Sequence, residues 1–131
     1  MRPTFSGTWK ADLAKTRLIG SHPKEIVARI DHAEPIISVD MLFTPAEGAP
    51  HRIEFKGRTN GEQVENVVLG ASWHSTIQWV GPELLIESHV NLSGRYFHFR
   101  DFWSMSDDGN LLTMIHRDDD LDGQVTVLKK V

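Results

Sequence analysis

The chain has 131 residues, no cysteine and a formal net charge of −4, with 40% hydrophobic and 24% charged residues. That size and balance describe one globular domain spanning 1–131 and exclude a disordered chain. The missing cysteines exclude disulfides, thiolate metal sites and cysteine nucleophiles, and the acidic balance argues against a nucleic-acid partner, which would show a basic patch or stripe.

No apolar run reaches the length of a membrane span. The opening, MRPTFSGTWK, lacks a signal-peptide core. As numbered, the chain reads as cytoplasmic; it reads as periplasmic or secreted if a leader has been removed.

In chain order, FSGTWKAD (5–12) comes first, with Phe5 and Trp9 starting a buried strand and Gly7 letting the backbone bend into it. ADLAKTRLI (11–19) is the one helical candidate, short enough to be a single turn or a loop. Period-two segments follow. EIVARID sets Ile26, Ala28 and Ile30 on one face, and IISVDMLF gathers Ile37, Val39, Met41 and Phe43. HRIEFKG alternates Ile53 and Phe55 with Arg52, Glu54 and Lys56, and WHSTIQWV sets Trp73, Ile77 and Trp79 against His74, Thr76 and Gln78. ELLIESHVNL, RYFHFRDFWSM, NLLTMIHRD and QVTVLKKV keep the same rhythm.

Turn signals stand between these segments: PAEGAP (45–50), TNGE (59–62), VGPE (80–83), LSGR (92–95), DDGN (107–110) and DLDG (120–123). With no long amphipathic helix between them, they predict an all-β fold with little helix. A single antiparallel up-and-down meander that closes into a β-barrel removes its exposed edges.

Gly7-Thr8-Trp9-Lys10 with Asp12 and Lys15, and later Asp101, Trp103, Ser106, Asp108-Gly109 and Leu112-Thr113, resemble the first strand and closing hairpin of a family of small bacterial lipocalin-like proteins. The likeness spans nearly the whole chain, the middle matching in strand rhythm. The same opening is similar to the first strand of fatty-acid-binding proteins, although their helix-turn-helix lid has no counterpart here. The resemblance implies a lipocalin-like, calycin-type barrel of about eight to ten strands with room for an interior cavity. It also implies that Trp9 plugs the closed end beneath a late basic side chain. Arg117, Lys129 and Lys130 are the candidates, with Arg117 best suited to cover an indole face.

The most polar strand, RYFHFRDFW, offers two alternative interiors. With Tyr96, His98 and Arg100 turned inward, it would orient an anionic or carbonyl-bearing ligand through paired donors. With Phe97, Phe99 and Trp103 inward, Asp101 would be a lone interior charge suited to general acid or base chemistry. Alternation leaves both open. Trp73, Trp79, Phe55 and Met41 supply the apolar lining that an adaptable pocket uses.

Metal and nucleophile motifs are missing from the pattern. His89, His98 and His116 lie on separate strands that folding can bring together, as a zinc trio or a single haem ligand, but their spacing carries no specific signature, and no metal or cofactor is expected. Asp118, Asp120, Asp122 and Gly123 match the first half of an EF-hand loop. The required bidentate glutamate falls on Lys129, and the flanks read as strands, so no calcium site is expected.

The leading functional expectation is non-catalytic binding of a small hydrophobic or amphipathic molecule, with a homodimer as a further option. A barrel enzyme of isomerase, cyclase or hydrolase type using His98, Arg100 or Asp101 is the alternative. A solid-core scaffold without ligand is the third reading.

Overall fold

The computed structural model describes residues 2–18, 22–118 and 123–131. Ten strands make up the fold: β1 (Gly7–Ala11), β2 (Glu25–Ala33), β3 (Ile36–Thr44), β4 (His51–Arg58), β5 (Val64–Val68), β6 (Ala71–Val80), β7 (Glu83–Leu92), β8 (Arg95–Met105), β9 (Leu111–Asp118) and β10 (Gln124–Lys130). The described residues contain no helix. The 11–19 candidate forms a turn instead, with Lys15 N–H donating to the Asp12 carbonyl at 3.1 Å. Thr16 ties that turn to β10, donating to the Asp12 carbonyl at 2.9 Å and accepting from Val127 N–H at 3.1 Å.

The strands form one antiparallel sheet in the order β4-β3-β2-β1-β10-β9-β8-β7-β6-β5. β1 pairs with both β2 and β10, so the first and last strands lie side by side and the sheet curls into a barrel. Its two free edges, β4 and β5, face one another without a ladder between them. Asn66 staples this gap: its side chain accepts from Lys56 N–H and donates to the Lys56 carbonyl, both at 2.9 Å. The barrel is therefore nearly closed.

Short turns follow the sequence's punctuation. LSGR closes β7 to β8 with Ser93 and Gly94 at φ of 53° and 83°, a pair of positive angles that suits a tight hairpin. Leu69 and Gly70 do the same between β5 and β6, at φ of 50° and 81°. β5 itself escapes the alternation rule, because it is five residues long and carries Val67 on its outer face, 69% exposed.

Register assigns every strand its inner face. Trp9, Ala28, Ile30, Ile37, Val39, Ile77, Leu84, Ile86, Trp103, Leu112, Met114 and Leu128 form one buried core. The largest of them gather toward the end that holds residues 2–6 and the 34–35, 59–63, 81–82 and 106–110 connections. This end is solid. Toward the other end, marked by the 45–50, 69–70 and 93–94 connections, the inward Phe43, Trp73, Phe97 and Phe99 are only partly covered, while Ile26, Val68, Ala71 and Val90 are buried.

Candidate functional site

The closed end defines where a ligand has no room. Trp9 is fully buried and its indole N–H donates to the Phe5 carbonyl at 3.0 Å. Phe5 packs against His32, Trp79 and Trp103 with ring centroids 5.8, 6.1 and 6.0 Å away. The basic residue over Trp9 is Lys130, its Nζ 5.6 Å from the indole, and not the expected Arg117. Register is the reason: Lys130 lies directly opposite Trp9, whereas Arg117 faces outward over Phe102, 6.0 Å from that ring. Gly7 is required here, since it holds φ of 145° and a Cβ would sit 3.1 Å from Lys130 Cε.

In β8 the apolar face turns inward. Trp103 pairs with buried Leu84 and Met114, which places Phe97, Phe99, Asp101 and Met105 inside with it. Tyr96, His98 and Arg100 consequently face solvent, with Tyr96 80% exposed. Burying the polar set would have desolvated a guanidinium while exposing three aromatic rings, so the outcome follows the larger free-energy difference.

Asp101 faces inward, but it is not the lone charge that arrangement suggested. His116, directly opposite on β9, places Nδ1 2.7 Å from Asp101 Oδ1. Both groups remain open to solvent, with 26% of the His116 and 21% of the Asp101 side chain exposed. Around them stands an aromatic wall. Phe99 lies 5.0 Å from the His116 ring, 5.3 Å from Trp73 and 5.9 Å from Phe97, centroid to centroid.

Beneath Phe99, Ser75 and Ser88 are both 1% exposed and joined by a 2.8 Å hydroxyl–hydroxyl bond, which satisfies two polar groups in the wall. Met41 and Phe55 face inward from β3 and β4 and pack against the core from the opposite wall. Trp79 belongs elsewhere. It sits in the closed-end cluster, 5.9 Å from His32, with its N–H donated to Glu34 at 3.0 Å. Of the seven side chains expected to hold a ligand, then, Trp73, Met41 and Phe55 face the interior toward the open half, Trp79 helps to seal the bottom, and Tyr96, His98 and Arg100 are outside.

The histidine trio is split by the sheet. His89 and His98 stack on the outer face with centroids 4.7 Å apart, His98 meets Glu87 at 3.2 Å, and His116 points to the interior. Among the described residues no three His, Asp or Glu side chains are arranged to hold a metal ion. The EF-hand-like positions Asp120 and Asp122 lie outside the described residues. A groove of about 600 Å³ on the outside, over the β4–β5 gap, is lined by Val39, Phe55 and Val67 as well as by charged side chains such as Arg29, Asp40, Glu54 and Lys56. Asp40 is paired there with Arg52 at 2.7 Å.

Electrostatics inside the barrel centre on His116. The hydrogen bond that His116 donates to Asp101 raises its pKa above the usual histidine value, the charges of Asp101 and Asp118 add to that, and burial opposes it. A raised folded-state pKa means that the pair's stabilisation is complete below the unfolded histidine value of about 6.5 and is lost as pH rises through the folded value. Urea unfolding between pH 6 and 9 is therefore expected to show stability declining with pH in the wild type. Asp101→Asn should flatten that decline.

No family model and no curated protein matches the sequence. Solved structures do. Secretory abundant heat soluble protein 4 from Ramazzottius varieornatus superposes with a TM-score of 0.65 at 13% identity, covering 100% of this chain and 98% of that one. A second secretory abundant heat soluble protein from the same organism, from a dimer sample, gives a TM-score of 0.68 at 14% identity with the same coverage. The likeness is one of fold. It matches the nearly closed antiparallel β-barrel of this chain to theirs along almost their whole length.

Proposed function

We propose that the barrel binds a small hydrophobic or amphipathic molecule in its open half, without catalysis. One observation carries this reading: Trp73, Phe97 and Phe99 face the interior of the open half yet are only partly covered, whereas Phe5 and Trp9 at the closed end have no exposed surface. Apolar surface that is neither packed nor turned to bulk solvent is what a ligand covers. Burying about 200 Å² of it yields roughly 5 kcal/mol before ordering costs, with polar groups fixing orientation.

The catalytic alternative narrows to Asp101 with His116, since His98 and Arg100 lie on the other side of the sheet. On this reading the Gly-Thr-Trp-Lys and Asp101-to-Gly109 motifs group the chain with small bacterial lipocalin-like barrels. Self-association would draw on the β5 edge, where Val67 and Leu69 are 69% and 65% exposed.

Trp73 is the tryptophan of the open half; Trp9, Trp79 and Trp103 belong to the closed end. Titration with decanol is therefore expected to change tryptophan emission saturably in the wild type and not in Trp73→Phe. Calorimetry should still detect binding in that variant. No saturable binding to the wild type, or a response that survives in Trp73→Phe, would count against a lumenal site.

A further inference from the structure

We infer that the lumen selects against carboxylate head groups and takes amphiphiles whose head is an amine or a hydroxyl. The inference rests on the lumenal-binding reading above and adds the chemistry of the head group. It starts from a juxtaposition: a solvent-accessible carboxylate, Asp101, bonded to His116 and set in a wall of Phe97, Phe99 and Trp73.

Among the described strand residues no lysine or arginine stands beside Asp101 to receive an anion. Arg29, Arg52, Lys56, Arg100, Arg117 and Lys129 all fall on outward-facing register positions. Among the described strand residues, the inward-register lysine and arginine are at the extremes: Lys130 over Trp9 at the closed end, and Arg95 exposed at the rim, 5.4 Å from the Phe97 ring. His116 is the nearest positive group, and its Nδ1 is already engaged by Asp101. Asp118, on the next inward position of β9, adds a second carboxylate to the same region.

A carboxylate head carried to this depth would be desolvated beside a like charge with its compensating histidine already paired, which is unfavourable on both counts. An ammonium or hydroxyl head instead donates to the Asp101 carboxylate. Both keep the tail against the aromatic wall, so the difference between ligands of equal chain length reports the head alone.

The test is calorimetric titration of the full chain with decylamine, decanol and decanoate at pH 7, below their micellar concentrations. Decylamine and decanol are each expected to bind at least about tenfold more tightly than decanoate, a difference of about 1.4 kcal/mol. Asp101→Asn keeps the side-chain shape and is expected to bring decylamine to within about threefold of decanoate. Glu54→Gln makes the same charge change on the outer face and should leave the ranking intact, which separates a lumenal preference from general attraction of cations to an acidic protein. His116→Gln gives a second test should Asp101→Asn fold poorly: it frees the Asp101 carboxylate of its partner and is expected to widen the advantage of decylamine over decanoate. Decanoate binding as tightly as decylamine would overturn the head-group preference while leaving lumenal binding standing. No binding of all three would overturn both.

Discussion

Replacing Trp9 with alanine is expected to destabilise the barrel by about 3–5 kcal/mol, the range for removing a large aromatic from a well-packed core. Trp9 has no exposed surface, ends the core at its solid end and supplies the donor for the Phe5 carbonyl. Its removal leaves a cavity, an unpaired buried carbonyl and a Lys130 ammonium without its indole. A domain of this kind has about 5–15 kcal/mol of total stability, so the urea midpoint should fall steeply. Trp9→Phe should cost less, since it restores much of the volume but still orphans the Phe5 carbonyl. Trp73→Ala, by contrast, should cost clearly less than Trp9→Ala, because its ring is only partly covered. Equal losses for Trp9→Ala and Trp73→Ala would contradict the division of the barrel into a filled half and an open half.

The second large effect is expected at Glu34. Its carboxylate accepts from His32 Nε2 at 2.7 Å, Trp79 Nε1 at 3.0 Å and the Thr59 hydroxyl at 2.6 Å, linking β2, β6 and the β4–β5 connection. His32 is suited to this donor role because its Nδ1 accepts from Phe5 N–H at 3.2 Å. Half of the Glu34 side chain is exposed, but His32 and Thr59 are buried, so Glu34→Ala strips acceptors from groups that water reaches poorly. About 2–3 kcal/mol is expected, measured by urea unfolding at pH 7, with Glu34→Gln milder.

The same site has a pH signature. Burial acts to raise the Glu34 pKa, but the bonds from Thr59, His32 and Trp79 outweigh it and hold the group below the usual glutamate value. A lowered folded pKa means that this contribution is present above the unfolded value near 4.5 and is lost as pH falls through the folded value. Its size is reduced by solvent screening at the exposed carboxylate. Unfolding curves from pH 5 down to 3 should lose this contribution in the wild type, while Glu34→Ala has none to lose.

Strand rhythm made the architecture legible. Alternation in IISVDMLF, HRIEFKG and ELLIESHVNL mapped directly onto β3, β4 and β7, because one side of each faces a core and period two records that. VENVV left no such record, with Asn66 inside and Val67 outside. The site was harder to read because alternation names two faces without saying which is inner. In RYFHFRDFW both faces carry aromatic rings, and the partners Leu84 and Met114 opposite Trp103 mark the inner one.

Cross-strand partners need register as well as alternation. The signal for Asp101 and His116 was present: the DDGN turn folds about its centre, and six residues outward from Asp107 and Asn110 on either side bring Asp101 opposite His116. Trp79 carries the same inward parity as Trp73 but lies six residues further along β6, deep in the closed end. Lys130 over Trp9, rather than Arg117, depends likewise on the β1–β10 pairing, a contact between the two ends of the chain.

Native mass spectrometry of freshly purified protein, with organic extraction of anything carried along and decanol added to the emptied chain, tests the central claim most directly. A defined one-to-one adduct is expected, weakened when Phe99 is replaced by serine on the open-half wall. A bare mass throughout, in a protein that remains folded and is offered decanol in excess, would contradict a ligand-binding lumen and leave a solid-core scaffold in its place.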